Sequence, residues 1–191
     1  MVCARRTLSQ NASLARSCFR LFRWIDEFCT AYDSARASTG GALWLFSTLR
    51  GVSIGTFILM NNLFWGLNWK ILTFTTAAKM KQWASYVRLV AESSGLCWMV
   101  LKHAGASKKL AAAREKGDEK AIAAAKETQT AAIYKAIVFI CNFTTYTDIS
   151  GTYDMVFGSS MSQVLFGVLG TISGVCGMRE PWCKSAVKAK N

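Results

Sequence analysis

Proline occurs once and histidine once in 191 residues, and the acidic side chains number only 11. A single proline argues against a loop-rich secreted domain, because proline mainly serves turns and chain breaks. The lone imidazole, His103, lies in a lysine-rich stretch, with no acid and nucleophile placed to make a triad. The seven cysteines contain no CxxC pair, so a zinc site is not expected, and their odd count favours free, mostly buried thiols in a reducing compartment. Paired carboxylates are equally scarce: Asp148 and Asp154 border the last hydrophobic run and read as turn or interface residues. Neither GxxxxGK[ST] nor GxGxxG occurs, so no glycine loop cradles a phosphate. The start, MVCARRTLSQNASLARS, lacks the apolar core of a secretory signal. Its Arg5, Arg6 and Arg16, with no acid before Asp26, give it a faint likeness to a mitochondrial presequence. The expectation is a protein with no catalytic residues, no metal and no cofactor, and hence not an enzyme.

What is present is apolar and basic. Hydrophobic residues make up 52% and charged ones only 18%, against about 25% charged in soluble domains. The mean hydropathy is +0.22. The 23 lysines and arginines give a formal charge of +12, which suits nucleic acid or anionic lipid. No aromatic-interleaved basic face and no nucleic-acid module is recognisable, so the expected partner is an anionic phospholipid membrane and not nucleic acid.

The chain divides by composition into a flexible N-terminus (1–13), a first membrane-associated half opened by an amphipathic helix (14–101), a charged, solvent-exposed connector (102–132), a second membrane-associated half (133–178) and a basic tail (179–191). Residues 14–32, LARSCFRLFRWIDEFCTAY, place Leu14, Cys18, Leu21, Ile25, Phe28, Cys29 and Tyr32 on one side of a helix. Arg16, Arg20 and Arg23 gather opposite, and Phe19 and Trp24 widen the apolar stripe. That separation is the pattern of a helix lying on an anionic bilayer; an ordinary surface helix on a soluble core is the bland alternative. Residues 51–69 are uncharged over 19 positions, long enough to enter or cross a membrane. Asn61, Asn62 and Asn68 within them need a protein or water partner, which suggests a polar seam. Residues 102–132 hold seven basic and four acidic side chains and no aromatic, with a weak point at Gly117-Asp118.

The longest charge-free run is Met155 to Met178, 24 residues. Within it Gly167, Gly170, Gly174 and Gly177 fall on one narrow face of a helix, where a neighbouring helix could approach closely. Basic residues follow, and the segment before residue 51 is basic too, so the positive-inside rule pulls both ends to one side. Two crossings would satisfy that pull. They would leave the basic connector on the far side, or force it back through another hydrophobic segment.

Three stretches together resemble one family. SLARSCFRLFRWID, residues 13–26, is similar to the basic amphipathic opening S-R-K-x-F-R-L-x-K of the peroxisomal biogenesis factor 11 family, through Arg16, Phe19, Arg20, Leu21 and Arg23. MNNLFWGLNW resembles that family's D-N-x-x-W through Asn62 and Trp65, with Asn61 in the acid's place. FGVLGTISG is similar to its glycine-rich final helix through Gly167, Gly170 and Ser173. The resemblance implies an all-α, membrane-embedded helical bundle with an N-terminal amphipathic helix and a glycine-rich C-terminal transmembrane helix. It implies elongation, proliferation and fission of peroxisomes or glycosomes through helix insertion, self-association and recruitment of organelle fission machinery. Pore-like passage of small metabolites has also been linked to the family. The rival readings are a structural subunit of an organellar membrane complex and a mitochondrial membrane location.

Overall fold

The computed structural model describes residues 21–36, 41–68 and 77–188, and all of its regular structure is helical. Six helices follow in order: α1 (Arg23–Arg36), α2 (Ala42–Asn68), α3 (Ala77–Lys116), α4 (Glu119–Ile149), the short α5 (Thr152–Phe157) and α6 (Gln163–Lys188). Alanine-rich, proline-free sequence sustains α3 for 40 residues, about 60 Å of helix. It ends where Gly117 takes a positive φ of +64°, and Asp118 caps the next helix by accepting from the Ala121 amide at 3.0 Å. The weak point in the sequence is thus the tip of a helical hairpin, and residues 102–132 form its two arms.

Each long helix runs antiparallel to the one before it. Ala31 of α1 meets Gly51 of α2, and Phe28 meets Gly55. Arg50 of α2 reaches Trp98 of α3, Phe139 of α4 meets Gly95 of α3, and Asn142 of α4 meets Ser173 of α6. Among the described residues α1 packs on α2 alone and α6 on α4 alone, with α5 a small lid against α4. The result is a serial, open layer and not a closed ring of helices.

Close approach within this layer depends on glycines of α2 and α3. A Cβ on Gly51 would lie 2.8 Å from the Ala31 Cβ, one on Gly55 2.9 Å from the Phe28 ring, and one on Gly95 2.8 Å from the Phe139 ring. Two small buried clusters form there. Ile54, Ile58 and Ala91 pack with Trp24 and Phe57, and Met99, Ala132 and Phe139 pack with Leu96, Trp98 and Ala136.

The charge-free run 155–178 is not one helix. Gly151 and Gly158 take positive φ values of +79° and +73°, and α6 begins only at Gln163. The Asp148 carboxylate accepts from the Met161 amide at 2.7 Å and folds the intervening chain back against the end of α4. The apolar part of α6, Gln163–Arg179, is therefore shorter than the run suggested. Ala42–Phe64 of α2 is the one described helix stretch long and apolar enough to cross a bilayer, and only 28% of its apolar window is buried inside the protein. A core helix of a soluble domain would be mostly covered.

The candidate membrane-facing surface and the buried polar cluster

Among the residues expected to bind lipid, Arg16, Phe19 and Arg20 lie outside the described residues. Leu21 is half-buried, and its carbonyl accepts from Asn62 Nδ2 at 2.6 Å. Arg23 is exposed and pairs with Glu27 at 3.6 Å. Trp24 turns inward onto the Ile54, Ile58 and Ala91 cluster and meets Phe28 edge-on at 6.0 Å. Tryptophan offers the largest apolar face on α1, and the gap beside α2 takes it. The outward apolar stripe is instead Phe22, in the turn just before α1, with Ile25 and Tyr32 of α1.

The asparagines do not converge. Asn61 is exposed and donates to its own helix at Phe57 O, 2.9 Å, while Asn62 holds Leu21. Asn68 ends α2, and its side chain lies outside the described residues. A different polar cluster occupies the middle of the layer. Glu92 of α3 is 2% exposed and pairs with Arg88 at 2.5 Å. Asn142 of α4 points its Nδ2 toward Glu92 at 3.5 Å and accepts from Ser173 of α6 at 2.8 Å. Arg88 lies 5.1 Å from the Phe57 ring centre and 5.4 Å from that of Tyr146, and Arg50 lies 5.2 Å from Phe139. Four helices thus meet around one carboxylate and two guanidiniums. Arg88 and Glu92 do stand at helical i,i+4 spacing, a signal visible in the sequence, but nothing there joins them to Arg50, Asn142 or Ser173.

Among the described residues, nothing lies within 4 Å of a Cβ built on Gly167, Gly170, Gly174 or Gly177. Beside them α6 exposes Val164, Val175, Met178 and Trp182, the last 75% exposed. Its inward face, through Ser173 and Cys176, is the one turned to α4. So α6 carries Gly167, Gly170 and Gly174 and its largest apolar side chains outward, while Gly177 borders the space between α6 and α4.

Residues 51–55, GVSIG, spell the G-x-S-x-G of a hydrolase nucleophile elbow. They sit in mid-helix with Ser53 buried and both glycines closed by α1, whereas an elbow needs a strand-to-helix turn that presents its serine. No group of three or more metal-ligating side chains occurs among the described residues. Residues 3–182 match the family Peroxisomal biogenesis factor 11 (PEX11). The chain belongs to this family. No curated protein and no solved structure matches it. Members of the family are membrane-associated, self-associating proteins of the peroxisomal membrane, which they remodel, elongate and divide; they are not enzymes. The match spans nearly the whole chain, so it takes in the amphipathic segment, the α3–α4 hairpin and the glycine face of α6 alike.

Proposed function

We propose that this peroxisomal biogenesis factor 11 protein bends the peroxisomal membrane with three surfaces of the helical layer. The outer stripe, Phe22 just before α1 with Ile25 and Tyr32 of α1, enters one leaflet as a wedge, and Arg16, Arg20 and Arg23 draw it to anionic headgroups at about 1 kcal/mol each. Helix α2 crosses the bilayer, and α6 is embedded beside it. The glycine face of α6 receives the same helix of a second copy, concentrating wedges along the membrane. The observation that carries this reading is the outward apolar surface of α6: Val164 at 78%, Met178 at 61% and Trp182 at 75% exposure, beside glycines that no described residue covers. Soluble monomers rarely leave so continuous a patch uncovered.

The placement of aromatic side chains agrees. Trp44, Tyr134 and Trp182 are exposed near the end of the layer that holds the hairpin tip, and Trp83 and Tyr86 near the other end. Along α3 about 22 Å separates the level of Trp83 from that of Trp98, a spacing compatible with belts at two interfaces.

Full-length protein added to liposomes of graded anionic content tests this directly by co-sedimentation and electron microscopy. The wild type should bind in proportion to anionic lipid and draw out tubules. A variant carrying Ile25→Asp and Tyr32→Asp should bind yet fail to tubulate, and one carrying Arg16→Glu, Arg20→Glu and Arg23→Glu should lose binding to the leaflet. Tubules of unchanged number from both variants would overturn the wedge.

A further inference from the structure

The two arms of the α3–α4 hairpin border an open groove of about 690 Å³. It starts at Leu43, in the first turn of α2, and follows α3 from Leu101 to Lys116, about 22 Å. Helix α2 begins at Ala42, so past Leu43 the hairpin continues without it. On the α3 side Gly105 with Ala106 and, seven residues on, Ala112 with Ala113 line the groove. On the α4 side Ala121, Ala125 and Thr128 follow at steps of four and three. Those are the intervals at which residues share one helix face, and at which a coiled coil offers holes to the knobs of another helix. Ala106, Ala113 and Ala125 are buried, whereas Ala112 and Ala124 are exposed. A Cβ on Gly105 would meet nothing within 4 Å among the described residues. The seam is built of small side chains, with room above them for larger ones.

The charge of the groove is one-sided. Lys102, Lys109 and Lys116 line its α3 rim at intervals of seven residues, close to two helical turns, so they stand nearly in one row. All three are exposed. Lys102 lies 5.5 Å from the centre of the Trp98 ring, a contact that leaves its charge unneutralised, and Lys109 and Lys116 make no ion pair among the described residues. Asp118 is the one carboxylate among the described residues that line the groove, and it caps α4 through the Ala121 amide.

We propose that this groove docks an amphipathic helix of a partner protein, apolar on the face that enters the seam and acidic along the edge that meets the lysine row. A helix of about four turns matches the length of the groove. Its large apolar side chains would fill the space above the alanines, and carboxylates seven residues apart would meet Lys102, Lys109 and Lys116, as edge charges select partners in coiled coils. Charge decides against the chain's own segments as occupants. Its first 20 residues hold Arg5, Arg6, Arg16 and Arg20 and no acid, and a second copy brings a net charge of +12 and the same lysine row. The groove involves neither the stripe of α1 nor the glycines of α6. A protein that bends no membrane could still dock such a helix, and one that docks nothing could still bend a membrane.

The probe is a fluorescein-labelled peptide of three heptads, with leucine at the a and d positions and glutamate at e and g, whose like charges keep it from pairing with itself. Full-length protein in neutral detergent is titrated into it and binding is followed by anisotropy, beside a control peptide with lysine in place of glutamate. The acidic peptide should bind at least tenfold more tightly than the basic one. Combined Lys109→Glu and Lys116→Glu should weaken it tenfold or more, whereas Lys120→Glu with Lys126→Glu, an equal change of charge outside the groove, should weaken it less than threefold. Ala112→Phe with Ala124→Phe fills the seam and should also weaken binding tenfold or more. Should circular dichroism show that pair unfolded, the exposed lysine variants decide the matter. Equal affinity for the two peptides, unchanged affinity in folded Lys109→Glu and Lys116→Glu protein, or an equal loss in both lysine pairs would overturn the proposal. So would a wild-type oligomer that dissociates on sedimentation when Ala112→Phe and Ala124→Phe are introduced, since the groove would then belong to a second copy.

Discussion

Glu92 is the residue on which the interior turns. Its carboxylate is removed from water at 2% exposure, faces Arg88 at 2.5 Å, and is the negative centre for Arg50 as well. Burying a charge is tolerable only when it is paired, and stripping one partner from a buried pair leaves the other uncompensated, at a cost of about 3–5 kcal/mol. Glu92→Gln keeps the shape and removes the charge, so it should lower the unfolding temperature sharply in a detergent melt followed by circular dichroism. Combined Arg88→Met and Glu92→Leu should recover most of the loss, because it removes both charges together. A Glu92→Gln variant that melts with the wild type would mean that the cluster is hydrated and its pairing weak. None of this was legible as a site in the sequence. Arg50 interrupts an apolar run and Asn142 sits in another, but which buried polar residues meet is decided by helix order and register, and no local pattern records either.

Glycine faces show the same division at the scale of elements. The sequence points to Gly167, Gly170, Gly174 and Gly177 because they share a face within a charge-free run, and no described residue comes within 4 Å of a Cβ on any of them. The close approaches inside the chain use Gly51, Gly55 and Gly95; the first two open the shorter uncharged run 51–69, and their GxxxG, residues 51–55, draws less notice. A glycine's local sequence states that a backbone can be approached, and not what approaches it. The two sets should therefore respond differently to one change. Gly51→Leu forces α1 away from α2, where even a Cβ would meet Ala31 at 2.8 Å, and overpacking of this kind costs about 1–3 kcal/mol. Gly170→Leu meets open space and should leave monomer stability within about 1 kcal/mol of the wild type, or raise it through better helix propensity. The same substitution should reduce self-association, read by chemical cross-linking in liposomes. Loss of fold in Gly170→Leu, or intact packing in Gly51→Leu, would reverse the assignment. Helix class and the weak point at Gly117-Asp118 were legible because alanine-rich composition and a Gly-Asp pair are local features, whereas the hairpin that turns there was not. The break at Gly158 was not, since an apolar run looks the same whether or not a distant Asp148 folds it back.

At the scale of the molecule, serial antiparallel packing decides where the charge goes. With two crossings alone, the basic stretch 102–132 would fall on the opposite side from the basic tail. In the structure α3 carries the chain back along α2, and α6 runs antiparallel to α4. The end of α1 at Arg36, the hairpin tip at Gly117 and the basic end of α6 beyond Arg179 therefore share one end of the layer. The opposite end holds Leu21 against Asn62, the turn after Ile149 and the start of α6. Basic segments within about 20 residues of a membrane-embedded helix stay on the cytosolic side. The tip carries Lys108, Lys109, Arg114, Lys116 and Lys120, all exposed and open to trypsin, around a glycine turn. Trypsin added to intact peroxisomes should therefore cut near residues 108–120 while the membrane is still sealed, leaving two fragments that resist alkaline extraction. The diagnostic comparison is with organelles opened by mild detergent. If the tip is cut only after opening, the layer stands inverted in the membrane.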